Sequence, residues 1–273
     1  MDIPAHNGLD SFVEASMAND GPRAVMEEYF AQKLSAFYAR VTTERVNPAN
    51  YAAPCLPYVG PAFFEEANLR MLFVGKATNG WGSLGNAIAD VWPAVKLFAD
   101  SERFIRERII PFYGRLPPGD LGCYQSSFWR RIYSLTCRVL ASQADLEYQR
   151  EATRAQRCFG EIAWTNLFKV GTSTGNPDSR MSELLLECLN TLPDEMQMLK
   201  PRIVIFSTGS TYDHFLSRAF SETLIIERPR ERFSLVGGLA GVACALRTPH
   251  FQACTNGEFN ELCRTVTAAV LST

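Results

Sequence analysis

Arg70-Met-Leu-Phe-Val-Gly75 is a short, unbroken apolar run that stops at a glycine and gives way to polar, glycine-containing sequence. A strand buried on both faces reads as such a run, and an abrupt polar stop marks the end where it opens into a loop. Two segments repeat the design, Glu161-Ile-Ala-Trp-Thr-Asn166 and Pro201-Arg-Ile-Val-Ile-Phe-Ser-Thr-Gly209. Gly241-Val-Ala-Cys-Ala-Leu-Arg247 predicts a fourth strand, and Glu222-Thr-Leu-Ile-Ile-Glu227 is a candidate fifth. Helical stripes lie between them around 102–110, 126–142, 145–157, 180–192 and 210–220, and Phe259, Leu262, Cys263, Val266 and Val270 form a closing stripe. Strands alternating with helices predict an α/β fold, three layers αβα around a central, mostly parallel sheet of four or five strands. Ligands of such sheets bind beyond the carboxyl ends of the strands.

Ahead of this pattern, Met26, Tyr29, Phe30, Leu34, Phe37, Tyr38 and Val41 recur at helical spacing, and the stretch from Asn47 to Gly60 carries Pro48, Pro54 and Pro57 without periodicity. The expected organisation is an N-terminal helical extension and connector over residues 1–65, followed by the α/β domain over 66–273. Apolar residues make up 47% and charged residues 21% of the chain, with no apolar run of ~18 residues. No basic segment followed by an apolar one opens the sequence, so a soluble, cytoplasmic monomer is expected. The eight cysteines form no C-x-x-C pair and read as reduced core thiols, with neither metal nor cofactor expected. A net charge of −2 removes the simplest argument for nucleic-acid binding but leaves room for a local basic groove.

Polar side chains gather at three strand ends: Lys76-Ala-Thr-Asn79-Gly80-Trp81, Asn166, and Thr248-Pro-His250-Phe-Gln252. Each alone is weak, since Asn-Gly is an ordinary turn pair and a lone histidine is commonly structural. Their convergence on one sheet edge makes them candidates.

The order G-K-A-T-N-G-W, then I-A-W-T-N-L-F-K with G-N-P following, then K-P-R-I-V-I-F-S-T-G, then T-P-H-F-Q resembles the motif order of the uracil-DNA glycosylase superfamily, over roughly residues 68–265. The resemblance implies a uracil-DNA glycosylase-like fold in which Gly75 is the glycine of the first motif, Asn166 reads the flipped base, Asn176 matches an asparagine of the iron–sulfur members, and His250 faces a base oxygen. Lys76, Ala77, Gly80 and Trp81 would line the base site. Ala77 stands where the efficient uracil enzymes hold an aspartate, so Asn79 is the implied water-positioning group; Phe251-Gln252 replaces Pro-Ser, and the four cluster cysteines are absent. Asn79 also takes the place of the tyrosine that blocks substituents at pyrimidine C5, and Gly80 and Gly82 widen that wall, while Trp81 is either a stacking platform or a core aromatic.

The activity implied is that of a monofunctional DNA glycosylase that flips out a modified pyrimidine, such as glucosylated hydroxymethylcytosine of phage DNA in an antiviral role, and leaves an abasic site. Its alternatives are a plain uracil-DNA glycosylase of base-excision repair, and a catalytically inactive fold that binds nucleic acid or protein, which Ala77 favours. A nucleotide-handling hydrolase is disfavoured by the lack of a G-x-x-x-x-G-K-[ST] loop or a G-x-S-x-G elbow. Contacts to single- or double-stranded DNA are expected from Arg130, Arg131, Lys169, Asn176, Arg180 and Gln252, with Arg228-Pro-Arg-Glu-Arg232 a further basic stretch.

Overall fold

The computed structural model describes residues 21–65, 68–77, 82–113, 126–143, 151–172 and 175–271. Seven strands form one sheet: β1 (Tyr58–Val59), β2 (Met71–Gly75), β3 (Ile162–Asn166), β4 (Ile203–Phe206), β5 (Ile225–Ile226), β6 (Ser234–Gly237) and β7 (Cys244–Arg247), in the spatial order β1-β3-β2-β4-β7-β6-β5. The four at the centre are parallel, with Gly75 opposite Asn166 and Phe206 opposite Arg247 at their carboxyl ends. These are the four strands that the apolar runs predict.

The sheet is wider than the four or five strands expected, and its margins are antiparallel. The two-residue β1 is too short to carry a pattern, and Ser234-Leu-Val-Gly237 is a single alternation running into a second glycine. The candidate fifth strand shrinks to Ile225–Ile226 and pairs with β6 rather than joining the parallel set. Both outermost strands are two residues long, which leaves little free backbone for another chain to pair with.

Alternation along the buried strands sends side chains to two helical layers. Leu72, Val74, Val204 and Phe206 join α1 (Gly21–Thr43), α2 (Leu84–Ala89), α3 (Ala94–Phe104), α6 (Ser179–Cys188), α7 (Leu192–Leu199) and α8 (Asp213–Ala219) on one face. Met71, Phe73, Ile203 and Ile205 join α4 (Ser127–Gln143), α5 (Glu151–Gly160) and α9 (Asn256–Leu271) on the other. The helix α1, expected as part of an extension, contributes Val25, Met26, Phe30, Leu34, Phe37 and Val41 to the first cluster along with the sheet residues.

Two helices start where a proline sets them. The stripe expected around 102–110 is the end of a longer element: Pro93 caps α3, whose buried positions Ala94, Leu97, Phe98 and Ser101 already have helical spacing, and a π turn at Ile105–Ile109 extends it. The stripe expected over 180–192 divides, because Pro193 in the first turn of α7 begins a second helix. At the other end of the chain, the Thr255 hydroxyl accepts from Glu258 N and the Glu258 carboxylate accepts from Thr255 N (2.7 Å), a reciprocal cap that starts α9 just after the His250 loop.

From β2 the chain passes to β3 on one side, and from β4 to β7 on the other. The neighbours β2 and β4 therefore send their carboxyl-end loops in opposite directions, and the gap between those loops is the crevice where sheets of this type bind ligands.

Candidate active site

Gly75 ends β2 directly opposite Asn166, the last residue of β3. A β-carbon at Gly75 would collide with Asn166 Oδ1 and stand 3.6 Å from Phe128 Cζ. Glycine is thus what lets the Asn166 amide lie across the strand end, with the Phe128 ring against it. The pairing runs on past the strands, since Leu167 N donates to Gly75 O (2.9 Å) and Phe168 N to Lys76 O (2.8 Å).

Asn166 is buried, and among the described residues its Nδ2 donates to no protein group. The same holds for the Thr208 hydroxyl just beyond β4. A buried amide or hydroxyl left without a partner costs about 1–3 kcal/mol, so Asn166 and Thr208 each have a hydrogen-bonding group to offer a polar ligand at these strand ends.

The His250 loop is fastened to the end of β4. Thr248 N donates to Phe206 O (2.8 Å), Gly209 N to Thr248 O (2.9 Å) and Phe251 N to Ser207 Oγ (2.9 Å), with Gly209 at φ +77° allowing the close turn. His250 stacks on Phe128, ring centroids 5.8 Å apart and planes 14° from parallel. Its Nδ1 accepts from Gln252 N (3.4 Å), which assigns the proton of the neutral ring to Nε2. Burial first, and the Lys76 charge second, hold the imidazole down to about 4, so it is uncharged at neutral pH and presents Nε2–H as a donor. Lys76 is itself held below the ordinary lysine range by burial, and its ammonium lies 4.7 Å from the centre of the Tyr212 ring. Burial raises the Tyr212 hydroxyl above the ordinary tyrosine range, and the Asn176 side chain partly offsets this, which brings Asn176 to the same rim.

The carboxyl edge therefore collects Gly75, Lys76, Ala77, Asn166 and His250, with Asn176 beside Tyr212 and Gln252 exposed on the histidine loop. Asn79, Gly80 and Trp81 lie outside the described residues. Arg130 is half-buried in the first turn of α4.

Two expected DNA contacts are corrected. Lys169 is fully buried: its Nζ pairs with Glu195 Oε1 (2.7 Å) and donates to Asn166 O (2.6 Å) and Thr165 Oγ1 (2.8 Å), so it fixes the main chain of Asn166 and faces no solvent. Arg131 is spent on the carbonyls of Cys254 and Thr255 and on the face of Phe259, a brace between α4 and the cap of α9. Arg180 stays exposed, with one of its nitrogens donating to Glu44 O at the end of α1.

Sequence reasoning passed over Phe128, Thr208 and Tyr212. Thr208 carried a readable signal, because Ser-Thr-Gly directly follows an apolar strand run in the same manner as the chosen strand ends. Phe128 and Tyr212 reach the edge from helical segments, and only tertiary packing brings them there.

Chemically, the edge offers a fixed amide with a free donor, a neutral imidazole donor, a buried hydroxyl and a nearby ammonium. Donors of these kinds can pair with the polar edge of a planar ring and with negative charge on an oxygen. Among the described residues, no group of three or more His, Cys, Asp or Glu side chains could hold a metal ion. No protein-family model and no curated protein matches the chain.

Proposed function

We propose that this protein is a DNA glycosylase with a uracil-DNA glycosylase-like fold, which takes a modified pyrimidine out of the stack and hydrolyses its glycosidic bond. The observation that carries the reading is the Asn166 amide, buried across Gly75 with its donor unspent, in one contiguous group with Phe128 and neutral His250. A carboxamide supplies both a donor and an acceptor, the pair needed to read a pyrimidine edge. Cleavage leaves electrons on the base, and His250 Nε2–H donates to the oxygen where that charge collects. Water adds to the sugar carbon as the base departs, and the motif resemblance gives the water to Asn79. The same resemblance gives the substrate an enlarged C5 group, such as a glucosylated hydroxymethyl.

A second reading, a fold that holds a base without cleaving it, is favoured by Ala77 in place of a carboxylate.

Base release separates the two. Uracil-containing DNA, unmodified DNA and phage DNAs with hydroxymethylated or glucosylated pyrimidines are incubated with the protein, and abasic sites are then cleaved with alkali. The expected outcome is strand breaks on a modified substrate, lost in His250→Ala and Asn166→Ala. Retained DNA with no breaks on any substrate selects the binding fold.

A further inference from the structure

The connection between β5 and β6, residues 227–233, displays Arg228, Arg230 and Arg232 at the same end of the sheet as the His250 loop. Ser234, the first residue of β6, is opposite Arg247, the last of β7, so the tip of this hairpin projects past the carboxyl edge. It is fixed from beneath. Arg247 is fully buried, and its guanidinium donates to four carbonyls of the tip: Glu231 O (2.6 Å), Arg232 O (2.9 Å), Pro229 O (3.1 Å) and Arg228 O (3.3 Å). Its Nε lies 3.1 Å from Asp213 Oδ1, which balances the charge. Burying a guanidinium is costly unless its donors are satisfied, and here nearly all of them are devoted to holding the backbone of an exposed loop in one shape.

Above that anchor the side chains face water. Arg228 and Arg232 are 69% and 59% exposed, and Arg230 is exposed and makes no ion pair among the described residues. Arg228 meets Glu231 only at 3.4 Å, a surface pair of the kind that exchanges readily for another anion. Arg232 pairs with the Glu258 carboxylate and donates to Ala253 O (2.9 Å), and Ala253 N donates to His250 O (2.7 Å), so the hairpin and the candidate active site are two hydrogen bonds apart.

We infer that this hairpin is the phosphate clamp of the protein: Arg228 and Arg230 contact successive backbone phosphates of the DNA strand whose base enters the site. Guanidinium forks suit phosphate oxygens, and in a chain of net charge −2 this tip sets three arginines against Glu227 and Glu231, with Arg230 free of any ion pair among the described residues. The inference rests on the glycosylase reading and supplies a strand path that the buried Arg131 and Lys169 do not.

The test is binding of a fluorescein-labelled 20-base-pair duplex, followed by anisotropy across a salt series, for the full chain, for Arg228→Gln/Arg230→Gln, and for Arg218→Gln/Arg264→Gln. The last removes the same charge from helices leading away from the carboxyl edge. Loss of two phosphate contacts makes the slope of log K against log salt shallower by about 2 and weakens binding about tenfold or more at physiological salt, with the control pair near native. Native-like binding by the hairpin variant, or an equal loss in both variants, overturns the clamp alone. Failure of the native chain to bind the duplex even at low salt overturns the glycosylase reading beneath it.

Discussion

Asn166 Oδ1 occupies the volume that a β-carbon on Gly75 would fill. The two residues sit opposite each other at the ends of β2 and β3, and the neighbouring backbone is locked by the continued ladder to Leu167 and Phe168, so neither strand can retreat. Gly75→Ala must therefore displace the amide. Overpacking of this kind costs about 1–3 kcal/mol, seen as a lower urea midpoint, and base release under single-turnover conditions is expected to fall by roughly two orders of magnitude as one preorganised group is lost. Unchanged turnover in Gly75→Ala would remove Asn166 from the chemistry.

The His250 ring gives a pH prediction. Its folded-state value of about 4 lies below the ordinary histidine value, so protons bind the unfolded chain more readily. The stability that follows is complete above about 6.5 and is lost as pH falls from there through 4. The chain has three histidines, which makes the ring resonances tractable by NMR. The His250 signal should stay in its neutral position from pH 8 to pH 5.5, and Lys76→Met should raise its midpoint by removing the weaker of the two causes while leaving burial in place.

The pair Lys169–Glu195 predicts strong non-additivity. Both side chains are fully buried, and Thr191 Oγ1 also donates to Glu195 Oε1 (2.6 Å). Lys169→Met leaves the buried carboxylate without its cation and should cost about 3–5 kcal/mol, whereas Lys169→Met/Glu195→Leu should recover much of that loss. Denaturant melts of the two single variants and the double variant measure the coupling directly. A double variant as unstable as the sum of the singles contradicts the pairing.

Arg131 should behave as a brace. Arg131→Met removes donors from two carbonyls and is expected to lower stability by about 1–3 kcal/mol while leaving the affinity for duplex DNA unchanged. A loss of affinity without loss of stability would return Arg131 to the binding surface.

The parallel centre of the sheet was legible because its strands are buried on both faces and therefore read as unbroken apolar runs, as Met71–Val74 and Ile203–Phe206 do. The margins were not, since Tyr58–Val59 and Ile225–Ile226 are too short to show a period. The candidate site was legible where a side chain ends a strand or follows it within a few residues, as with Asn166 at the end of β3 and His250 just past β7. Charge proved the poorest guide: Arg131, Lys169 and Arg247 look alike in sequence to Arg228 and Arg230, yet the first three are buried as partners of carboxylates or carbonyls. Nothing in local sequence distinguishes an arginine that holds a loop from one that the loop displays.

The position of β2 at the middle of the sheet bears on how the chain is made. Its neighbours begin only at Ile162 and Ile203, so on a ribosome adding roughly 5–20 residues per second the strand Met71–Gly75 waits on the order of ten seconds for its second partner. Through that interval a fully buried strand of the fold has two open edges, and its safe passage depends on whatever shields it as it emerges.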